Sequence, residues 1–554
     1  MSSTAAGLVQ LGVLLLFLAA AYVPFGTYLA AVYTDGRHWR VERAAYRVVR
    51  VDPDAEQRWT GYAAALLAFA LLSVVLLYLL QRLQGVLPLS LGRGAVEPGI
   101  AFNTAVSFVT NTNWQSYVPE TVMGHLVQMA GLTVQNFVSA ALGMAVAVAL
   151  VRGFVRASTD RIGNFWVDLT RGVTRVLLPA SFVAAIVLVA LGVTMSLRAG
   201  VAVTGVDGQS STVALAPTAS QEAIKELGTN GGGIFNANSA HPFENPNALT
   251  NLVQIFLLLV VPVCLTRTFG VMVRDTRQGH VLLAVMGVLW GGLLAVAWWA
   301  ETHPNGPAAL AAGAALEGKE VRFGIPSSVL FSVSTTGTST GAVNSLHDSY
   351  TGLGGGVTLL HMLLGEVSPG GVGAGLYGIL VLAVVAVFLA GLMVGRTPEY
   401  LGKKLGRVQV SAAAISLLVM PTVVLLGSAA LLAQPAELAT ALANPGAHGL
   451  SEVLYAYASA GNNNGSAFAG LTATSPFVQS TLGLAMLFGR FVPILAVLAL
   501  SGSLATQKRI EPSAGTLPTH GAQFGVVVWG TVVLVAALTF FPALALGPIA
   551  EALS

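Results

Sequence analysis

Charge is scarce in this sequence. Asp, Glu, Lys and Arg make up 9% of its 554 residues, against about 25% in an ordinary soluble domain. No fold of such a chain can face water on all sides. Cysteine is almost absent: Cys264 alone excludes an internal disulfide and any thiolate metal centre, and its apolar neighbours mark it as a small core residue. A Walker-type GxxxxGK[ST] stretch is missing. The longest loop on the cytoplasmic side, 32–59, has 28 residues, too few for a nucleotide-binding or phosphorylation domain. The chain alone is therefore not an ATPase. A basic leader is also missing, so the apolar run 8–31 reads as a retained helix and not as a signal peptide.

What is present is apolar: 55% hydrophobic residues and a mean hydropathy of +0.74. Runs long enough to cross about 30 Å of hydrocarbon fall at 7–30, 61–81, 123–150, 174–196, 248–272, 280–300, 373–395, 410–433, 482–504 and 523–547. Ten spans place both termini on one side. The net charge of +3 does not indicate a nucleic-acid partner, because the basic residues are scattered through short loops. Of the 27 Lys and Arg, 20 lie in alternate loops and 6 on the other face. By the positive-inside rule the basic loops are cytoplasmic and both termini extracytoplasmic.

Four outward connections share one layout: a short semi-apolar stretch, a Thr/Asn/Gly/Ser-rich stretch, then the next long run. The short stretches are Gly99–Thr110, Thr218–Leu227, Ser327–Ser334 and Leu450–Ser459, followed by NTNWQS (111–116), GTNGGG (228–233), TTGTSTG (335–341) and AGNNNGS (460–466). The polar stretches begin 117, 107 and 125 residues apart, so one unit is repeated four times. Twelve helical residues reach about 18 Å and cannot span. They can enter the membrane and stop, provided the irregular backbone after them is buried or lines a cavity. The expected fold is an all-α polytopic membrane protein of four fused membrane–pore–membrane repeats around a pseudo-fourfold axis, with re-entrant pore helices. The expected units are 1–59 (first span and loop), 60–151, 174–273, 279–396 and 410–505 (repeats I to IV), and 521–554 (last span).

Rings of backbone carbonyls can replace the water of a dehydrated potassium ion, and turning successive carbonyls inward favours glycine. Gly231, Gly232 and Gly233, Gly341 and Gly465 suit that role. The first loop has no glycine, and Gln115 stands where one is expected. It either narrows and polarises the mouth or braces loop backbone. The run 357–381 carries six glycines and Pro369, so Gly365–Gly375 is expected to be an intramembrane loop below the filter, with Gly370 in it and Glu366 as an electrostatic element. Arg490 lies inside a span, where ionisable residues are expensive and functional. It either faces the cavity below the filter and repels cations there, or snorkels to the cytoplasmic interface. His241 and Glu244, and likewise His347 and Asp348, read as braces of the second and third loops, with no metal site.

NTNWQSY (111–117), TNGGGIFNANSAHPFENP (229–246), TGAVNSLHDS (340–349), GRTPEYLGKK (395–404) and AGNNNGSAFAGL (460–471) resemble the signature stretches of the KdpA family, the channel-like subunits of the bacterial Kdp potassium-transporting complex. The resemblance runs through essentially the whole chain. It implies filter positions at Asn111, Thr112, Asn113 and Gln115; at Thr229, Asn230, Gly231 and Gly232; at Ser339, Thr340 and Gly341; and at Asn463, Asn464 and Gly465, with Asn238 adding a side-chain oxygen. It implies K+ as the transported ion, with no nucleotide and no transition metal. It also implies three partners (a P-type ATPase subunit, a single-span periplasmic-facing subunit and a small accessory peptide), a place in the bacterial inner membrane among its lipids, and a sideways exit of the ion into the ATPase subunit. A self-sufficient channel or ion-coupled transporter of the same superfamily is the alternative. A secondary transporter of inverted repeats is a third alternative, and two crossings per unit count heavily against it, since inverted units need an odd number.

Overall fold

In the computed structural model, which describes residues 3–303, 311, 315–511 and 516–553, ten helices are long and apolar enough to cross a membrane. They are Ser3–Thr34, Trp59–Arg82, Val127–Val155, Phe165–Ala190, Ala248–Met272, Thr276–Thr302, Ala374–Met393, Arg407–Leu432, Pro476–Thr506 and Ala522–Leu553. Hydropathy is nearly uniform among them, so it cannot say which are inner and which outer. Burial does. The apolar window of Val127–Val155 is 83% buried and that of Ser3–Thr34 only 17%, which puts the former at the centre and the latter at the lipid-facing rim. The first helix packs along Ala248–Met272, and the last lies against Thr276–Thr302 and Ala374–Met393; both stand outside the four units.

Between the two long helices of each unit sits a short one: Pro98–Val109, Thr218–Leu227, Gly324–Gly337 and Gly446–Asn462. The second has the expected limits, and the third and fourth extend beyond theirs. In the third unit the chain makes a half-length helix, Gly352–Leu363, leaves helical geometry over 364–373, and resumes at Ala374. Glycine with positive φ at Gly365, Gly370 and Gly373 breaks the helix.

The fourth long helix begins nine residues before its expected start at 174. Asn164 caps it, accepting from the N–H groups of Trp166 and Val167. Its charged first turns are tolerated because they are paired: Asp168 with Arg152, and Arg175 with Asp35 at 2.8 Å and Glu42 at 2.5 Å. Run-finding by hydropathy excludes such turns, since it scores each charge as unpaired. The connection after this helix carries an exposed hairpin, Gly200–Thr204 with Ser210–Ala214, which the apolar-run reading passes over as loop.

Candidate cation-binding site

All four pore helices end in the same way. Asn111, Thr229, Ser339 and Asn463 adopt φ of +67°, +46°, +52° and +60°. The next residue then donates its N–H five positions back along the turn: Thr112 to the Ser107 carbonyl, Asn230 to Lys225, Thr340 to Thr335 and Asn464 to Ser459, at 2.8–3.2 Å. This is the Schellman closure of a helix. It turns the chain sharply at the point where each helix presents the negative end of its dipole, worth about half an elementary charge.

The residue after the closure sets the register, and it corrects the sequence reading. Gly231, Gly341 and Gly465 occupy it with φ of +82°, +74° and +102°; in the first loop the occupant is Asn113, at +56°, and not Gln115. Asparagine is among the few non-glycine residues that adopt this conformation readily, and Asn113 is held there by its amide donating to Asn136 Oδ1 at 2.7 Å. Spacing alone could not place it, because the repeat offers no fixed offset inside so short a loop.

The four loops close on one another in a ring. A Cβ at Gly231 would lie 1.8 Å from the Thr340 carbonyl oxygen, one at Gly341 2.3 Å from that of Asn464, and one at Gly465 2.0 Å from that of Thr112. The fourth junction combines a side chain with backbone: the Asn111 amide donates to the Thr229 carbonyl at 2.7 Å, and Gly232 backs onto the Asn113 carbonyl. Asn463 donates to Thr112 Oγ1 at 3.0 Å and Asn464 to the Thr335 carbonyl at 3.1 Å. Except for Gln115, Asn462 and Gly465, which are half-buried, the loop residues named here are buried. Among the described residues, the carbonyls of Thr112, Asn230, Thr340 and Asn464 accept no hydrogen bond. Buried carbonyls are almost always satisfied, so four unsatisfied ones at equivalent positions of a ring suit a cation.

Gln115 clasps the second loop. Its Oε1 accepts from the Gly233 N–H at 2.9 Å, and its Nε2 donates to the Gly233 carbonyl at 3.1 Å and to the Tyr117 hydroxyl at 3.0 Å. Of the two readings left open above, the brace is the one the contacts describe. Gln115→Ala removes two backbone contacts, at about 0.5–1.5 kcal/mol each. We expect the affinity of the ring for its cation to fall by about tenfold, measured as the half-saturating cation concentration.

Behind the second loop lies a charged cluster that sequence reading missed. Lys225 stands at the helix position occupied elsewhere by Ser107, Thr335 and Ser459. It is buried, 2.7 Å from Glu222, 2.5 Å from Glu244 and 3.1 Å from Asn238 Oδ1. Glu244 accepts from the N–H groups of Ile234 and Phe235, and the Asn238 amide donates to the Gly232 carbonyl at 2.5 Å. The positional contrast, one lysine against three hydroxyl residues, is the signal that could have found it. His241 stacks on Phe235 at 4.0 Å, and His347 meets the Tyr455 hydroxyl at 2.8 Å; both hold turns.

Beneath the ring runs the non-helical segment 364–373. Val372 N–H donates to Thr229 Oγ1 at 2.8 Å and Gly370 N–H to the Gly337 carbonyl at 2.7 Å. Glu366 accepts from Ser339 Oγ and, at 2.8 Å, from the Asn464 amide. One segment thus touches three of the four loops. A cavity of about 110 Å³ lies beside it, lined by Ser339, Glu366, Asn463 and Arg490 and continuing between Pro493, Ala536 and Phe540. Arg490 is buried and its Nη2 donates to the Ser139 carbonyl at 3.3 Å, so its guanidinium stays inside.

Ten spans around four re-entrant loops that close head to tail define a pore-loop membrane protein. The chain belongs to the family of the potassium-transporting ATPase A subunit, KdpA, which matches residues 12–553. It is 64% identical to the potassium-transporting ATPase potassium-binding subunit of Rhodococcus erythropolis over 99% of both chains. It is 58% identical to the protein of that name from Streptomyces coelicolor over the full length of both. The crystal structure of the potassium transporter TrkH from Vibrio parahaemolyticus has the same fold, with a TM-score of 0.54 at 15% identity over 89% of this chain and 96% of that one.

Proposed function

We propose that the chain is the potassium-binding and translocating subunit of an ATP-driven uptake complex. It takes extracytoplasmic K+ into the ring of loops and passes it to a P-type ATPase subunit. The observation that carries this reading is the set of four buried, unpartnered carbonyls at equivalent positions of a closed ring. Four helix C-termini aimed at that ring favour a cation, and carbonyl oxygens favour one that sheds its water easily. Glu366 and Arg490 line the cavity below. There the carboxylate draws the ion off the ring, the guanidinium blocks the direct route to the cytoplasm, and Gly370 lets the segment between them bend. The ion then leaves sideways between the helices, and ATP hydrolysis falls to the partner.

A single-span subunit and a small accessory peptide complete the assembly in the bacterial inner membrane. The loops holding 20 of the 27 basic residues face the cytoplasm and the filter mouth faces out. The family name and the relatives' names support the potassium and ATPase parts of this reading.

Affinity purification from native membranes tests it. A P-type ATPase is expected to co-purify, with hydrolysis stimulated by K+ and not by Na+; a chain that purifies alone and conducts K+ without ATP overturns the reading. Within the complex, Glu366→Gln keeps the bonds to Ser339 and Asn464 available but removes the charge. We expect the maximal transport rate to fall while half-saturation changes little, as measured by 86Rb+ uptake.

A further inference from the structure

On the mouth side, away from the ring, three potential metal ligands from two elements converge: Asp348, His448 and Glu452, with one donor atom of each within 4.8 Å of the others. His448 and Glu452 are four residues apart on the fourth pore helix and so share a face. Asp348 lies in the short turn His347–Ser349 that follows the third filter loop. The sequence reading makes Asp348 a brace with no metal site, and the family resemblance implies no transition metal. The fold changes that by adding a histidine and a glutamate a hundred residues away.

The orientation of the imidazole is that of a metal ligand. Nδ1 faces Glu551 Oε1 at 2.9 Å, so it can keep its proton when Nε2 is taken by a metal, and Nε2 faces Asp348 Oδ1 at 3.1 Å. Metal-bound histidines characteristically give their second N–H to a carboxylate in this way. The ring also lies parallel to Phe468, at 5.8 Å and 11°. Asp348 is oriented from the other side by the Gly470 N–H at 2.9 Å, and Glu452 by the Asn444 amide, which occupies Oε1 at 2.7 Å. Among the described residues the second Glu452 oxygen, Oε2, has no hydrogen-bond partner, and the residue is fully shielded from solvent. A shielded carboxylate with one oxygen unpartnered, grouped within 4.8 Å of an imidazole and a second carboxylate, suits a cation. Gly470 has no room for a side chain because Glu452 Oε1 and Asp348 Oδ2 lie against it.

We propose that Asp348, His448 Nε2 and Glu452 form a binding site for a divalent transition-metal ion of the zinc class, with Glu551 as the carboxylate that orients the histidine. A nitrogen and carboxylate oxygens at about 2.0–2.2 Å are zinc's ordinary ligands, and the present spread closes with small side-chain movements. The ion displaces the proton that Nε2 shares with Asp348, one proton released per ion, while Nδ1–H stays on Glu551. Bound there, it ties the turn after the third filter loop to the fourth pore helix and, through Glu551, to the last helix.

The test is a Zn2+ titration by calorimetry of the purified full-length protein in its complex, stripped with a chelator and free of any histidine tag. The expected result is one equivalent of Zn2+ per chain, uncompeted by Mg2+. Asp348→Asn and Glu452→Gln should each abolish the stoichiometric binding, and Glu551→Gln should weaken it by about 10–100-fold. Should the Glu452 variant fail to assemble, X-ray absorption of the wild-type zinc complex decides: one imidazole with oxygen ligands is expected. No stoichiometric zinc, zinc retained unchanged in Asp348→Asn, or coordination by several histidines overturns the proposal. Zinc binding is read directly, so its failure leaves the potassium reading intact.

Discussion

Gly231→Ala is expected to lower the apparent potassium affinity by about 100-fold or more. Two costs combine. A residue with a β-carbon at φ +82° is disfavoured by about 1–2 kcal/mol. Its Cβ would then sit 1.8 Å from the Thr340 carbonyl oxygen, a distance no side chain can occupy, so one of the two loops must move. Overpacking of this kind costs typically about 1–3 kcal/mol, and the atom displaced is a ring carbonyl. Gly341→Ala and Gly465→Ala meet the same obstruction at the next two junctions and should behave alike. Two controls make the result diagnostic. Gly291, in the span Thr276–Thr302, has open space where a Cβ would go, and Gly291→Ala should leave affinity unchanged. Asn113→Gly keeps the positive φ and loses only the bond to Asn136, so its effect should stay near that of one hydrogen bond, about 0.5–1.5 kcal/mol. The measurement is the potassium concentration for half-maximal ATP hydrolysis by the complex. Equal effects from Gly231→Ala and Gly291→Ala would remove the ring from the explanation.

Lys225→Met should be the most damaging change outside the ring. It strips the cation from a buried group in which Glu222 and Glu244 both lie within 2.7 Å of the ammonium. Breaking a buried pair from one side costs about 3–5 kcal/mol. Here the uncompensated Glu244 is also the acceptor that holds the backbone of Ile234 and Phe235 in place after the second filter loop. Loss of thermal stability and loss of potassium affinity should therefore appear together. Glu244→Gln alone should be milder, because an amide oxygen can still accept from the two N–H groups. Combining it with Lys225→Met removes opposite charges, so the double variant should be more stable than the sum of the singles implies. Thermal unfolding in detergent across the four proteins measures this coupling. Strict additivity would mean that the lysine acts through something other than these carboxylates.

The lysine illustrates where sequence reasoning stopped. As one of six basic residues on the mouth face it served to orient the chain, and nothing in its neighbours announced Glu244, nineteen positions on, as its partner. Gln115 illustrates a different failure. Its loop was recognised as the odd quadrant, but which residue replaced glycine was misjudged by two positions. Register in a loop of six residues is set by the helix closure before it, and that closure is a matter of φ, not of composition. Glu366 and Arg490 were legible because ionisable groups inside apolar runs are conspicuous, and the helix break after Leu363 because glycines and Pro369 cluster there. The start at Asn164 was not, because the charges in its first turns are neutralised by Asp35, Glu42 and Arg152 from other parts of the chain.

What the sequence determined by itself was everything that depends on local length and polarity: ten spans, four segments too short to cross, their fourfold repetition and the excess of basic residues on one side. Hydrocarbon thickness and the need to satisfy backbone groups act on each segment separately, so each can be read separately. The closing of the loops, the carbonyl behind each glycine, the clasp of Gln115 on Gly233 and the partners of Lys225 were decided only in the tertiary structure. Those contacts join residues more than a hundred positions apart or through turns whose handedness is fixed by packing, and no local pattern records which distant group will be there to meet them.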